Sequence, residues 1–278
     1  MDSPAYIQLD RATRVYREGG LLGAMLRGAA HGKTALKSVS LELRPGDVLG
    51  IVGESGGGKS TLARLMAGLD DPDEGRVLWM GRDLASMRGR ERHAFRRGHV
   101  QILLQNQYGS LNPRMRVLDI VAESVRCHMG RRGRAAREAA AGLLERARVL
   151  GCAEELPVRL SGGERRAVTI ACALAASPRV LLLDEPVAGL DPRFQCYLLG
   201  LLEQLVLANP KLAIALISHE LGVVLQIAHR VIVLLQGQVV EEFAVVPGEL
   251  DLRQPYTREL FSADRAARLR GPGAAPRP

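Results

Sequence analysis

A glycine-rich segment that ends in a lysine and two hydroxyls is the most distinctive chemical pattern in the chain. It reads Gly53-Glu54-Ser55-Gly56-Gly57-Gly58-Lys59-Ser60-Thr61 and fits the pattern G-x-x-x-x-G-K-[ST]. Backbone N–H groups of such a loop can surround phosphate oxygens, the lysine can reach β- and γ-phosphates, and the Ser60 hydroxyl can bind Mg²⁺. The alternative is a glycine-rich turn with a chance lysine. An apolar strand expected at 48–52 and a helix expected at 60–67 favour the phosphate site.

Two adjacent carboxylates, Asp184 and Glu185, follow the apolar run Val180–Leu183. Ligands of an open α/β sheet bind at the carboxyl ends of its strands. Asp184 could therefore hold Mg²⁺, and Glu185 could activate an attacking water molecule. The alternative is an ordinary polar turn, and the presence of a phosphate loop favours the metal and base roles.

A third segment, Leu160-Ser161-Gly162-Gly163-Glu164, stands before a run with helical periodicity at 164–176. Ser161 and the glycines could cap this helix. They could also leave the helix N-terminus open to a phosphate. One chain would then carry two phosphate-binding helix starts, which makes sense if they belong to opposite halves of a dimer.

The elements that must position these residues alternate between strand and helix, which predicts an α/β fold with a mostly parallel sheet covered on both faces. Antiparallel strands are expected at 5–16 and 35–43, with a glycine-rich insertion at 19–32 between them. Residues 88–165 are rich in Arg, Ala and Glu and predict an inserted helical subdomain. Further strands are expected at 75–80, 180–183, 212–217 and 231–235, and further helices at 193–208 and 221–228.

Composition and charge are those of a globular protein. The chain has 278 residues, 47% hydrophobic and 24% charged, which excludes disordered, collagen-like and coiled-coil classes. The net charge of +8 comes mainly from arginines spread over the whole chain. A solvated surface is therefore favoured over a nucleic-acid face. No apolar run approaches the ~20 residues that span a bilayer, and the N-terminus shows no secretory signal pattern.

The cysteine pattern indicates reduced thiols. The four cysteines are Cys127, Cys152, Cys172 and Cys196, without a CxxC pair, so a disulfide framework or zinc site is not expected.

In their order along the chain, these motifs resemble those of the ATP-binding subunit of an ATP-binding cassette (ABC) transporter. Gly53–Ser60 resembles the Walker A loop, Leu160–Glu164 the signature motif and Leu181–Glu185 the Walker B strand. The remaining matches are single residues or short runs. They are Ala188–Asp191 for the D-loop, His219 for the switch histidine, Gln105 for the Q-loop glutamine and Tyr16 for the aromatic that stacks on adenine.

The resemblance, over about residues 5–260, implies a P-loop NTPase core of the ABC ATPase type with an antiparallel β edge and an inserted helical subdomain. The expected ATP-binding domain is 1–261, with a disordered tail at 262–278. ATP and Mg²⁺ are the implied cofactors, with Ser60, Gln105 and Asp184 near the metal. Glu185, His219 and Gln105 are implied in catalysis, and Asp191 in nucleotide binding. Separately from the resemblance, Ser218 and His219 are not expected to form a hydrolase pair, since adjacent strand residues point to opposite faces.

More narrowly, the chain resembles the peptide/nickel uptake branch of this family through Gln105–Arg114, Ser218–Val224, Gln254–Thr257 and the insertion after Tyr16. This implies two transmembrane permeases, a second and different ATPase subunit, and a solute-binding protein as partners. It also implies a peripheral position on the inner face of a bacterial membrane, with docking near Gln105–Arg114. The alternatives are a soluble ABC-type ATPase of DNA repair or translation, and a cassette that binds ATP without hydrolysing it.

Several residues depart from the usual family pattern. Glu164 stands where the family usually has glutamine, and Ala167 and Cys172 stand where it usually has arginine. Val187 and Ala188 replace the usual Thr-Ser pair. These departures affect the signature half of the chain, while the Walker A loop, the Walker B strand and His219 match the family pattern. The assembled transporter is therefore predicted to have two unequal ATP sites. No cysteine follows Cys196, so the iron–sulfur cluster of some relatives is not expected.

Overall fold

The structure is a computed structural model that describes residues 4–17, 32–105, 111–246 and 250–270. The glycine-rich insertion expected at 19–32 lies outside these residues except for Gly32. Half of the segment 105–114, expected to contact transmembrane partners, also lies outside them.

The strands form an antiparallel and a mostly parallel sheet. They are β1 (Ile7–Arg17), β2 (Gly32–Leu43), β3 (Val48–Val52), β4 (Glu74–Trp79), β5 (Arg82–Asp83), β6 (Val100–Leu103), β7 (Val180–Asp184), β8 (Ala213–Ser218), β9 (Arg230–Leu235) and β10 (Gln238–Ala244). Among the described residues, the antiparallel sheet has the order β2-β1-β4-β5 and the larger sheet the order β10-β9-β3-β8-β7-β6. In the part of the larger sheet that the structure describes, β10 alone pairs antiparallel, with β9. The predicted α/β class and the antiparallel edge are confirmed.

Helices cover the larger sheet and form the inserted subdomain. The α-helices are α1 (Lys59–Met66), α2 (Arg90–Gly98), α3 (Val117–Met129), α4 (Gly133–Arg146), α5 (Gly162–Leu174), α6 (Pro192–Ala208), α7 (Leu221–Val224) and α8 (Pro255–Arg270). Helices α3, α4 and α5 pack on one another. Of the helices in the described ranges, none is long and apolar enough to span a bilayer.

The larger sheet separates two hydrophobic cores. Neighbouring residues of a buried strand point to opposite faces, so β7 contributes Leu181 and Leu183 to one core and Val180 and Leu182 to the other. The first core joins the sheet to the helical subdomain, and the second joins it to the antiparallel sheet and α1. Strand β3, which leads into the glycine-rich loop, likewise contributes Val52 to the first core and Ile51 to the second.

Two predicted boundaries differ from the structure. The region 88–165 contains β6, which pairs with β7 in the larger sheet, so the inserted helical part begins after Leu103. The four-residue run Val100–Leu103 is too short to show a strand period against its arginine-rich surroundings. Helix α8 continues past the expected boundary at Ser262 to Arg270, because residues 263–270 are mainly Ala, Arg and Leu, which favour helix.

Candidate functional site

The glycine-rich loop connects the carboxyl end of β3 to the start of α1, as predicted. Gly58 precedes α1 with φ +102°, a conformation that side chains disfavour. At Gly53 a Cβ atom would lie 2.1 Å from the carbonyl oxygen of Leu234 on β9. Glycine at these positions lets the loop turn tightly against the sheet and begin a helix whose N-terminal N–H groups face the turn.

Lys59 is buried at the first position of α1, with 7% of its surface exposed. Its Nζ atom donates to the carbonyl oxygens of Gly53 at 2.7 Å and Glu54 at 2.9 Å. An ammonium has three N–H donors, so two hold it on the loop and a third can serve a phosphate oxygen. Burial lowers the pKa of Lys59, and the charges of Glu185 and Asp184 oppose that shift.

Ser60 and Asp184 lie next to each other although 124 residues separate them in the chain. The Ser60 hydroxyl donates to Oδ2 of Asp184 at 2.9 Å. Burial raises the pKa of Asp184, and this hydrogen bond opposes the rise. A hydroxyl and a carboxylate oxygen are hard oxygen ligands of the kind that Mg²⁺ prefers, so this pair fits the expected metal.

The carboxyl ends of β3, β7 and β8 meet at one edge of the sheet, where parallel pairing brings Val52 beside Ser218 and Asp184 beside Ile217. Glu185 follows β7 with φ +52°, a left-handed conformation that costs about 1–2 kcal/mol for a residue with a side chain. Its N–H donates to the carbonyl oxygen of Ile217 at 2.9 Å. This turn directs the carboxylate of Glu185 toward the residues that follow β8.

Both Ser218 and His219 contact the carboxylate of Glu185. Nδ1 of His219 lies 2.8 Å from Oε1, and the Ser218 hydroxyl donates to Oε2 at 3.4 Å. The premise that Ser218 and His219 point to opposite faces is therefore wrong, because both side chains reach the same carboxylate. Strand β8 ends at Ser218, so His219 is free of the strand alternation and its backbone N–H also donates to Oε1, at 3.0 Å.

A cavity of about 360 Å³ contains most of the predicted phosphate and metal residues. Loop residues, Asp184, Glu185, Gln105 and Tyr16 all line it. Among the residues that the structure describes, its lining consists of Tyr16, Lys33, Ala35, Ser55, Gly56, Gly58, Lys59, Ser60, Thr61, Gln105, Asp184 and Glu185. Polar and charged groups thus converge on a space large enough for a small ligand.

Tyr16 lies at the rim of this cavity, 38% exposed. The guanidinium of Arg14 lies 5.3 Å from the centre of its ring, and its hydroxyl donates to Asp70 at 3.2 Å. Sequence reasoning missed Lys33, the cross-strand partner of Tyr16, and Ala35 on the same strand. The pairing register across the long insertion carries no local signal, so the sequence alone could not identify these two residues.

The signature residues do not line this cavity. Ser161 and Glu164 form a reciprocal capping box at the start of α5. The Glu164 N–H donates to the Ser161 hydroxyl at 3.2 Å, while Oε2 of Glu164 accepts from the Ser161 N–H and hydroxyl, each at 2.7 Å. These bonds lower the pKa of Glu164. In this structure, Ser161 and Glu164 therefore act as a cap of helix α5.

The start of α5 packs on the start of α6. A Cβ atom at Gly163 would lie 2.3 Å from the ring of Phe194, so a side chain there would push the two helices apart. Asp191 caps α6 by accepting from the N–H groups of Arg193 at 3.0 Å and Phe194 at 3.3 Å. The predicted signature and D-loop residues are thus adjacent to each other and separate from the loop cavity.

Comparison with known proteins identifies the family to which this site belongs. The family model described as ABC transporter matches residues 36–188, which include the loop, the signature and the two carboxylates. The chain belongs to the ABC transporter family. The nickel import ATP-binding protein NikE of Rhodospirillum rubrum is 40% identical to it, over 92% of this chain and 90% of NikE. The oligopeptide transport ATP-binding protein OppD of Mycobacterium tuberculosis is 35% identical over 94% of this chain, which spans 42% of OppD.

A solved cassette structure supports the same assignment. A dimeric ATP-binding cassette in a post-hydrolysis state, bound to ADP and phosphate, matches with a TM-score of 0.73 and 27% identity. The match covers 86% of this chain and 99% of that cassette. The chain is an ATPase of the ABC transporter family with the P-loop fold. Its similarity to transporter subunits favours the transport prediction over the DNA-repair and translation alternative.

Proposed function

We propose that this ABC ATPase powers an importer for nickel, nickel chelates or peptides. The observation that carries the proposal is the convergence of Lys59, Ser60, Asp184 and Glu185 on one cavity, with His219 bonded to Glu185. The nickel and oligopeptide relatives give the substrate classes.

The residues of the cavity have separable roles in ATP hydrolysis. The N–H groups of the loop and the Lys59 ammonium bind the phosphates. Glu185 accepts a proton from water as the water oxygen attacks the γ-phosphorus. The bond between the γ-phosphorus and the bridging oxygen breaks, and ADP and phosphate are the products. His219 holds Glu185 in place, and the family resemblance implies that its ring contacts the γ-phosphate.

The Ser60 hydroxyl and the Asp184 carboxylate are the residues that would hold Mg²⁺, together with Gln105 on the cavity wall. When bound, Mg²⁺ neutralises charge on the β- and γ-phosphates. Ser60 and Asp184 also orient each other through their hydrogen bond, so the metal-binding oxygens are positioned by the protein itself.

A second cassette completes each ATP site in this proposal. The signature residues of this chain lie outside its own cavity, at the N-terminus of α5. In a head-to-tail dimer, Ser161, Gly162 and Gly163 would close the cavity of the partner. Following the resemblance to the uptake branch, we assign the partner to a second, different ATPase subunit. Asp191 lies beside the signature and would contribute at the same dimer interface.

The cassette would act on the inner face of the bacterial membrane, attached to two permease subunits that receive substrate from a solute-binding protein. The segment near Gln105–Arg114 and the helical subdomain supply the contact surface. Gln105 lies on the cavity wall, and residues 112–114 are exposed. A surface that adjoins the ATP site can transmit nucleotide-dependent movement to the permeases.

Reconstitution tests the importer proposal. The test begins with the genes that neighbour the gene for this chain. Permeases and a second ATPase encoded there would be co-expressed with it and placed in proteoliposomes. ATPase activity should rise when the co-encoded solute-binding protein is added with its ligand. Parallel assays with nickel, a nickel chelate and short peptides identify the substrate class. An ATPase rate indifferent to every loaded binding protein would contradict import.

A further inference from the structure

The C-terminal helix contacts the phosphate loop directly. The hydroxyl of Tyr256, on α8, accepts a hydrogen bond of 3.1 Å from the backbone N–H of Glu54. The two residues are 202 positions apart in the chain. In the sequence, the segment Gln254–Thr257 indicates only the uptake branch and suggests no part in the ATP site.

The peptide group that Tyr256 contacts is the same one that holds Lys59. Its N–H belongs to Glu54, and its carbonyl oxygen belongs to Gly53, which accepts from Nζ of Lys59 at 2.7 Å. A peptide group is planar, so fixing the N–H direction also fixes the carbonyl direction. Hydrogen bonds linked through one peptide also polarise each other. The Tyr256 hydroxyl is therefore connected to the Lys59 ammonium through a single rigid group.

Tyr256 is itself held in place. It is half-buried and packs against the core on the helical-subdomain side, together with Leu260 and Phe261 of the same helix. Burial raises the pKa of Tyr256, so its hydroxyl keeps its proton at neutral pH. The ring is fixed by packing, and the hydroxyl is the part that reaches the loop.

The start of α8 is anchored to β10. The carboxylate of Glu241 accepts from the N–H of Arg253 at 2.6 Å and from the N–H of Gln254 at 3.3 Å. Within its own segment, α8 is also tied to the residues before it, because Nε of Arg258 donates to the carbonyl oxygen of Leu252 at 2.8 Å. Anchored in this way, the helix can fix the position of the loop.

We infer that Tyr256 is a positioning residue for ATP binding, whose hydroxyl orients the peptide 53–54 that holds the ammonium of Lys59. This inference rests on the proposed role of the loop in binding ATP phosphates. It makes the C-terminal helix part of the nucleotide site. The effect falls on the β- and γ-phosphates, because those are the groups that Lys59 reaches.

The test compares Tyr256→Phe with Tyr197→Phe in the full chain. Tyr197 is a matched control, because its hydroxyl donates to the carbonyl oxygens of Ala147 at 2.9 Å and Arg148 at 3.1 Å, away from the loop. Dissociation constants for ATP and for AMP, which lacks the β- and γ-phosphates, are measured by competition with a fluorescent nucleotide. Thermal unfolding and hydrogen exchange of the Glu54 amide are measured on the same nucleotide-free samples.

We expect Tyr256→Phe to weaken ATP binding by about 3- to 10-fold, the effect of one net hydrogen bond. AMP binding should stay unchanged, and the Glu54 amide should exchange faster than in the wild type. Tyr197→Phe should leave ATP binding and that amide unchanged. Equal ATP binding by Tyr256→Phe and wild type, or equal losses for ATP and AMP, would overturn the inference. A wild-type chain that fails to bind ATP would contradict the proposed function instead, and exchange at Glu54 would still decide whether Tyr256 holds this peptide.

Discussion

Nδ1 of His219 lies 2.8 Å from Oε1 of Glu185, an oxygen that also accepts from the backbone N–H of His219 at 3.0 Å. One residue thus holds the carboxylate through both its ring and its backbone. The backbone bond survives substitution of the ring, so the two contributions can be separated by mutation.

Replacing His219 with alanine should reduce ATP turnover by roughly 10²–10³-fold, the scale expected when one aligned polar group is lost from a reaction centre. Ser218→Ala is the matched control, because its longer contact of 3.4 Å reaches the other oxygen of Glu185. Steady-state ATPase of the assembled complex measures both variants. Equal losses in the two variants would contradict a specific role of the His219 ring.

Lys59→Ala should weaken ATP binding by roughly 10- to 100-fold, because hydrogen bonds to a charged group are the stronger ones. The thermal unfolding midpoint should change little, since the ammonium contacts the loop and not the apolar core. Lys211→Ala, at an exposed lysine, controls for loss of positive charge. Isothermal titration with ATP checks the prediction, and tight binding by a folded Lys59→Ala variant would refute it.

Tyr16→Ala should weaken ATP binding by about 2- to 10-fold, while Tyr16→Phe should bind almost as the wild type does. Stacking needs the ring, and the Tyr16 hydroxyl is occupied with Asp70, which Arg64 also holds at 2.8 Å. Nucleotide titrations of both variants test this. A loss of equal size in Tyr16→Phe would assign the effect to the hydroxyl bond.

Glu164 makes the stability of the start of α5 depend on pH. Its pKa is lowered by the hydroxyl and N–H of Ser161, so it binds fewer protons in the folded than in the unfolded chain. This contribution is present above the ordinary glutamate pKa of about 4.3 and is lost as pH falls through the lower folded value. Glutamine keeps the capping box without the charge. At pH 7 the thermal unfolding midpoint of the wild type should be higher than that of Glu164→Gln, and this difference should shrink in acid. A difference in midpoint that stays constant with pH would contradict the charge effect.

The same residue bears on the predicted inequality of the two ATP sites. The Ser161 hydroxyl donates to Glu164, so a phosphate arriving at this helix start would have to replace that bond. Glutamine keeps the capping box but removes the negative charge that opposes the phosphate, so Glu164→Gln should speed the site that uses this signature. Introducing arginine at position 167, where the family usually has it, would not test this, because Ala167 is fully buried and a guanidinium there would disrupt the core. Single-site turnover in a complex whose other site is inactivated measures the change, and an unchanged rate would argue against competition by Glu164.

The sequence predicted those parts of the site that are formed by contiguous residues. The loop 53–61 and the carboxylates after β7 each combine an apolar strand with a change to polar residues, so their position at strand ends followed from local pattern. Lys33 and Tyr256 reach the site through strand register and helix docking. Neither process has a local signature, which is why these two contacts could be found only in the folded chain.

In the fold, too, features with a local sequence pattern were predicted and features that depend on long-range pairing were not. Long periodic elements such as α5 and α6 were predicted close to their observed ends, whereas β6 was included in a region predicted to be helical. Its partner β7 lies about 80 residues later, and pairing between them is what makes Val100–Leu103 a strand. Ser218 and His219 show the limit of predicting side-chain direction from strand alternation. The alternation holds inside β8 but does not apply to His219, which follows the end of the strand.

The catalytic role of Glu185 is the central claim, and steady-state ATP hydrolysis by the assembled complex carrying Glu185→Gln tests it most directly. The substitution keeps the shape of the side chain and removes its ability to accept a proton. Turnover should fall by about 10²–10⁴-fold while ATP binding remains at the wild-type level. The matching substitution in the partner subunit serves as the comparison for the other site. Near wild-type turnover in the Glu185→Gln complex would contradict the account.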